Sequence, residues 1–219
     1  MGILGRRGRR EEKTEVVVMP LLYKTVTPET TIRTMWLVWW VSWIVAAAWS
    51  DRAVKRPASR HQIVYRLLVG LGAVLLFGMY RHDLRAEMTL WRTPVALAWA
   101  MVPAVVAGLL FTWWARIHLG RLWSSSVTRK ADHRVVDSGP YGIVRHPIYT
   151  GIILASAATA AMRGTAVAWL GVGVMTIGWV IKARLEEAFL REQLGAETYG
   201  EYARRVPMLV PYLGPRRLP

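Results

Sequence analysis

From Thr93 to Ala115 the chain runs 23 residues without a charged side chain. A helix of that length rises about 35 Å, enough to cross a hydrocarbon core of about 30 Å. Pro103 falls inside the run and predicts a kink. Four further apolar segments follow the same pattern at shorter length: Met35–Trp49, Leu67–Tyr80, Pro147–Met162 and Thr165–Ile181. The first gives roughly 22 Å of helix, so Thr34 and Ser50 have to help it cross. The last two are separated only by Arg163 and Gly164, a link so tight that it predicts an antiparallel helical hairpin over 147–181. Both arms are short for a full span, which leaves a tilted or partly re-entrant hairpin open. The expected fold is all-α: a polytopic membrane protein with about five transmembrane helices and a helical C-terminal region on the cytoplasmic side.

Composition agrees with this reading. In 219 residues, 53% are hydrophobic and 12 are Trp, too apolar for an ordinary soluble domain. The net charge of +15 is spread between apolar runs, which points to anionic membrane lipid and away from nucleic acid. The absence of Cys excludes disulfides, thiolate zinc sites and a cysteine nucleophile. His61, His82, His118, His133 and His146 form neither an HExxH pattern nor a close pair, so no metal site is expected.

Residues 1–31 read as a basic tail with an interfacial segment, Val16–Tyr23, broken by Pro20 and Pro28; RRGRREEKTE lacks the apolar core of a secretory signal. Residues 32–115 hold three membrane helices. Trp36, Trp40 and Trp43 recur at helical spacing and predict a structural aromatic face. Gly70 and Gly72, in VGLGAV, lack the strand–turn–helix context of a nucleotide fingerprint and predict close helix packing. If all five segments span, one side carries 5, 6 and 7 Lys and Arg, 18 in all, against 11 opposite. The positive-inside rule then places the long connection, 116–146, and the C-terminus in the cytoplasm, although the basic N-terminal tail disagrees.

The stretch that concentrates chemistry is GPYGIVRHPIYTG, Gly139 to Gly151, at the polar edge of the hairpin. Gly139-Pro140 signals a turn, and Pro147 drives His146 out of helical geometry while suiting the first position of a new helix. Arg145 and His146 thus stand at a helix mouth, where exposed N–H groups and the dipole favour an anion such as a carboxylate. The bland alternative is interfacial snorkelling. The hairpin returns this mouth to the end of its second arm, where KARLEEAFLREQLG begins at Lys182. There a helix to about Leu194, ended by Gly195, precedes a shorter one through Tyr199 and Tyr202. Glu187 and Arg191 are spaced for an exposed pair on a solvated helix. Pro207, Pro211 and Pro215 then break regular structure and suggest a strap over the pocket.

Two groups of residues carry a resemblance. The first is Gly139, Pro140, Tyr141, Arg145, His146, Pro147, Tyr149 and Gly151. The second is Glu186, Glu187, Leu194, Gly195, Tyr199, Tyr202, Val206, Pro207 and Pro211. Together with HLGRLWSSSV and HRVVDSG, they resemble the isoprenylcysteine carboxyl methyltransferases over about residues 118–212. The resemblance implies a catalytic region over 116–212, followed by a tail, 213–219. It also implies S-adenosylmethionine as cofactor and a lipophilic acceptor entering from the bilayer, with an isoprenylcysteine-type carboxylate foremost. On this basis Arg184 and Glu187 are candidate catalytic residues, and Tyr141, Arg145, His146, Tyr149, Gly151, Glu186, Tyr199 and Tyr202 are candidates for holding the cofactor. A carboxylate acceptor needs no base; an alcohol or ammonium would, with His146 or Glu187 available. Alternatives are a phospholipid amine or small thiol as acceptor, an NADPH-dependent enzyme like the sterol reductases, and a non-enzymatic membrane scaffold.

Overall fold

The computed structural model describes residues 26–47, 59–78, 88–120 and 136–211. Among them the regular structure is helical: α1 (Pro28–Ala47), α2 (Ser59–Phe77), α3 (Val95–Leu119), the single turn α4 (Pro140–Ile143), α5 (Pro147–Arg163), α6 (Ala166–Leu194) and α7 (Ala196–Arg205). The expected interfacial segment Val16–Tyr23, residues 121–135 of the polar connection and the tail 213–219 lie outside the described residues.

Several boundaries differ from the hydrophobic runs, for local reasons. Pro28 opens α1 instead of breaking the chain, as suits a residue with fixed φ and no N–H to satisfy in a first turn. Charge does not stop α2, which begins at Ser59 and takes in the polar residues before Leu67. α3 continues through Pro103 to Leu119. The hairpin turn is Gly164-Thr165, with Gly164 left-handed at φ 64 and the Thr165 hydroxyl accepting from the Ala168 N–H. α6 then runs unbroken for 29 residues, so the charged stretch from Lys182 extends the second hairpin arm as one rigid rod of roughly 43 Å.

Contacts between helix ends give the topology. Arg116, near the end of α3, donates to the Ala46 carbonyl at the end of α1 (2.8 Å). Arg163, at the end of α5, donates to the Gly78 carbonyl just past α2 (3.0 Å). α1, α3 and α6 therefore run one way and α2 and α5 the other. At the hairpin-turn end Glu29 joins Arg33 (2.9 Å) and the buried Arg163 (3.5 Å), tying α1 to the turn.

Two glycine crossings let helices meet backbone to backbone. A Cβ on Gly72 would stand 2.6 Å from the Gly171 carbonyl oxygen, joining α2 to α6; one on Gly108 would stand 2.7 Å from that of Gly151, joining α3 to α5. The packing reading of VGLGAV thus holds for Gly72, whereas Gly70 faces open space. Gly72→Ala is accordingly expected to cost about 1–3 kcal/mol by overpacking. Gly70→Ala should gain about 0.5–1 kcal/mol from helix propensity. Thermal unfolding in detergent should show shifts of opposite sign.

The tryptophan face of α1 is structural, but through Trp36, Trp39 and Trp43, not Trp36, Trp40 and Trp43. The indole N–H of Trp36 donates to Thr159 (3.1 Å) and that of Trp39 to Thr112 (2.7 Å), while Trp40 is 53% exposed. Satisfying both buried indoles fixes the rotation of the helix. Large apolar side chains are left outside: Leu37, Ile44 and Val45 on α1, Leu67 and Val74 on α2, and Ile117 on α3 are each more than half exposed. Two helices, Val95–Leu119 and Ala166–Leu194, are long and apolar enough to cross a membrane. A bundle that turns such residues outward on successive helices suits lipid as its solvent.

Candidate active site

The site is assembled where the mouth of α5 meets the polar extension of α6, beyond Ile181. Gly139 takes φ 56, a left-handed turn in which a Cβ would stand 2.8 Å from the His118 ring. It is followed by α4 and by an extended Val144. Pro147 occupies the first position of α5 and holds His146 outside the helix at φ −124, ψ 63. Both basic side chains of the mouth therefore turn toward α6.

There they meet the paired carboxylates. Arg145 Nε donates to Glu187 Oε1 at 2.8 Å, and a His146 ring nitrogen, Nε2, shares that oxygen at 3.1 Å. His146 Nδ1 lies 3.6 Å from Glu186 Oε2, and the Tyr149 hydroxyl donates to Glu186 Oε1 at 2.7 Å. Arg191 approaches the other Glu187 oxygen at 3.3 Å. The expected exposed Glu187–Arg191 pair is thus only half exposed: the Arg191 side chain is 43% accessible but that of Glu187 is 5%.

Burial by itself raises the Glu187 pKa, but the hydrogen bonds from His146 and Arg145 outweigh it and bring the carboxyl down to about 2. For His146 burial lowers the pKa, and its bonds to Glu186 and Glu187 more than reverse this, leaving it above the usual 6.5. The pair thus favours imidazolium facing carboxylate. Coplanar rings extend the cluster inward: His146 stacks on Tyr149 (5.4 Å, 7°) and Tyr149 on Trp179 (4.8 Å, 16°).

A strap closes the mouth. The Arg145 and His146 N–H groups donate to the carbonyls of Pro207 (2.8 Å) and Met208 (3.1 Å). The Thr150 hydroxyl donates to Leu209 (2.7 Å). Arg145 Nη1 donates to the carbonyls of Ala203 (2.9 Å) and Val206. The two backbone donors expected to face an anion are consequently bonded to the strap, and among the described residues Nη2 is the Arg145 donor group not bonded in this way.

The other residues singled out in the sequence fall in three places. Tyr199 and Tyr202 are buried on α7 with Val206, packed against Leu190 of α6, and the Tyr202 hydroxyl donates to the Tyr141 carbonyl (2.8 Å), which ties α7 to α4. Gly151 lies at the α3–α5 crossing, which accounts for a glycine there without a ligand. Arg184 is exposed and forms no ion pair among the described residues. The sequence reading did not single out Lys182, whose ammonium lies 3.8 Å from Glu186 Oε1, although the i,i+4 spacing announces that pair. Tyr65 and Trp179, which flank Lys182, carry no comparable signal.

Cobalt-zinc-cadmium resistance protein CzcN of Cupriavidus metallidurans is 32% identical over 170 residues, 74% of this chain and 69% of that protein. Protein-S-isoprenylcysteine O-methyltransferase B of Arabidopsis thaliana is 31% identical over 50% of this chain and 56% of its own length. Methanethiol S-methyltransferase 2 of Bradyrhizobium diazoefficiens is 34% identical over 74% of this chain and 63% of its own length. The chain thus spans less than two thirds of the two named methyltransferases. Residues 99–192 match the family described as isoprenylcysteine carboxyl methyltransferase (ICMT); the match includes the α5 mouth and both carboxylates and ends before Tyr199. With both stretches of the site inside that match, the chain belongs to the isoprenylcysteine carboxyl methyltransferase family.

Proposed function

We propose that the chain is an integral membrane methyltransferase that uses S-adenosylmethionine and acts on a lipophilic acceptor, an isoprenylcysteine-type carboxylate foremost. The observation that carries this reading is the buried cluster of both charge signs, Arg145 and His146 against Glu186 and Glu187, at the polar end of an apolar bundle. The amino-acid end of the cofactor is itself a zwitterion and needs both signs close together.

The residues present fit that group. Glu186, 22% accessible at its side chain, is the carboxylate available to an ammonium, and Arg145 Nη2 is the donor available to a carboxylate. Glu187, behind them, orients Arg145 and His146. Arg184, exposed two residues before Glu186 and in no ion pair among the described residues, is the candidate for touching a reactant. The bound cofactor supplies a methyl group on a sulfonium, so the protein's task is to hold donor and acceptor in line and exclude water. The strap over Arg145 and the apolar bundle below serve those ends.

In this reading all five long helices cross the membrane and the mouth faces the cytoplasm, the side that 18 of the 29 Lys and Arg would occupy. Titration calorimetry of the full chain in detergent should detect binding of S-adenosylmethionine and its demethylated product and no binding of NADPH. Binding of NADPH with no response to S-adenosylmethionine would replace this reading by a reductase.

A further inference from the structure

At the end of the bundle away from the carboxylate cluster, residues 88–94, which lead into α3, lie across the hairpin turn. Their backbone is committed to it. The Leu90 and Trp91 N–H groups both donate to the Gly164 carbonyl (2.8 and 3.2 Å), and the Ala166 N–H donates to the Met88 carbonyl (2.9 Å). Thr89 and Thr165 pair there as an antiparallel bridge. Trp91 Nε1 and the Thr93 hydroxyl both donate to the Ala161 carbonyl (3.3 and 3.2 Å), one of the acceptors that the end of α5 leaves over. The approach is close enough that a Cβ on Gly164 would collide with the Trp91 carbonyl oxygen. Non-helical backbone tolerates membrane depth only where the protein itself meets its polar groups, and these bonds supply such partners at the turn.

The side chains turned outward are apolar and aromatic. Met88, Leu90 and Trp91 are exposed, and so is Trp169 in the first turn of α6, whose ring lies 6.5 Å from that of Trp91. Arg92, exposed and in no ion pair among the described residues, adds a cation beside them. The apolar surface continues along α6 through the exposed Leu170 and Ile177. Indole rings concentrate where hydrocarbon meets headgroups, and a cation at that level reaches lipid phosphate. Open water disfavours large apolar side chains gathered together, and the acyl interior disfavours a guanidinium. The boundary accommodates both, and continuity with the outward side of α6 favours lipid over a second copy of the chain.

We propose that Met88, Leu90, Trp91 and Trp169, with Arg92 beside them, form an anchoring surface that docks into the headgroup–acyl boundary of the leaflet opposite the candidate active site. The indoles sit at the boundary and the guanidinium meets lipid phosphate. The proposal rests on the reading in which the long helices cross the membrane, and not on the reaction. It has a consequence for the site. Trp169 and Glu186 are 17 positions apart on the unbroken α6, roughly 26 Å along its axis. In a hydrocarbon core of about 30 Å, pinning Trp169 at one boundary brings Glu186 close to the other. The anchor thereby sets the depth at which the carboxylate cluster meets the bilayer.

The chain contains no Cys, so a single introduced one can carry a nitroxide. The test places the full chain in vesicles of phosphatidylcholine and phosphatidylglycerol, labelled in turn at Leu90→Cys and Ile177→Cys. Depth is read from collision with oxygen against collision with a polar nickel chelate. The Ile177 label should lie in the acyl interior and the Leu90 label at the headgroup boundary, roughly 10 Å shallower. Trp91→Leu with Trp169→Leu keeps apolar bulk and removes the indoles, so the Leu90 label should sink by roughly 3 Å, about two residues of helix rise. If that double variant does not fold, Arg92→Gln decides by the same inward shift. An Ile177 label in the acyl interior with the Leu90 label in bulk water, or as deep as Ile177, overturns the anchor and leaves the spanning reading standing. A Leu90 label that keeps its depth in the folded variant does the same. Dipolar broadening between Leu90 labels in dilute vesicles would mean that a second copy covers the surface, which also overturns it. An Ile177 label in water overturns both readings.

Discussion

Arg145→Ala should release the strap and lose cofactor binding about a hundredfold or more. One guanidinium holds three elements together: Nε is bonded to Glu187 on α6, and Nη1 to carbonyls at the end of α7 and the start of the strap, while its backbone sits at the mouth of α5. Removing it leaves Glu187 buried with one fewer donor, and the Ala203 carbonyl of α7 and the Val206 carbonyl of the strap without their bond. Breaking a buried ion pair costs about 3–5 kcal/mol. The effect should be local, because α1, α2 and α3 are packed through Trp36, Trp39 and the glycine crossings, which Arg145 does not touch. Hydrogen exchange should therefore accelerate over residues 203–211 while α3 keeps its protection. Arg145→Lys should recover little, since an ammonium cannot span the fork between Glu187 and the two carbonyls. Wild-type protection of 203–211 in Arg145→Ala would mean that the backbone bonds to Pro207 and Met208 suffice to hold the strap.

How much of this could be read from residues alone depended on whether a signal was local. The hairpin was legible because Arg163-Gly164 leaves no room for another connection, and Gly164 takes the left-handed turn that such a link needs. The meeting of Arg145 and His146 with Glu186 and Glu187 followed from the hairpin alone: equal arms return to the same end. What those groups do on meeting was not legible. Arg145 and His146 were expected to face a ligand, but periodicity does not say that Glu187 turns inward, and a buried carboxylate takes the nearest cations. The use of the mouth N–H groups by Pro207 and Met208 depends on a chain path about 60 residues away in sequence, which no local pattern encodes. Tyr199 and Tyr202 were visible as aromatics at helical spacing, which suits a ligand face or a packing face equally; in the structure both are buried on α7 beside Val206. The rotation of α1 was missed for a related reason. Three tryptophans at the right spacing fit two faces, and only the partners Thr159 and Thr112, on other helices, choose Trp39 over Trp40.

Glu187→Gln should separate the shared-cluster arrangement from a solvated helix by both magnitude and pH. On an exposed helix the loss of an i,i+4 pair with Arg191 costs at most about half a kcal/mol. Here the substitution keeps the shape but removes the charge opposite Arg145 and His146, so the loss should approach the roughly 3–5 kcal/mol of a broken buried pair. The pH dependence has a definite sign. The Glu187 pKa falls from the ordinary 4.5 to about 2, so its contribution is present above about 4.5 and disappears as pH falls through about 2. His146 is shifted upward from 6.5, so its contribution is complete below about 6.5 and disappears as pH rises through the elevated value. The two together stabilise the site most between about pH 4.5 and 6.5. Thermal unfolding in detergent from below that range to above it should show a wild-type plateau with an acid limb and an alkaline limb. Glu187→Gln should lower the plateau and flatten the acid limb; His146→Ala should remove the alkaline one. Because His146 bonds a Glu187 oxygen directly, the double mutant should lose less than the sum of the singles. Glu187→Gln with a wild-type melting temperature and an unchanged acid limb, or strict additivity with His146→Ala, would falsify the coupled cluster and return α6 beyond Ile181 to a solvated helix.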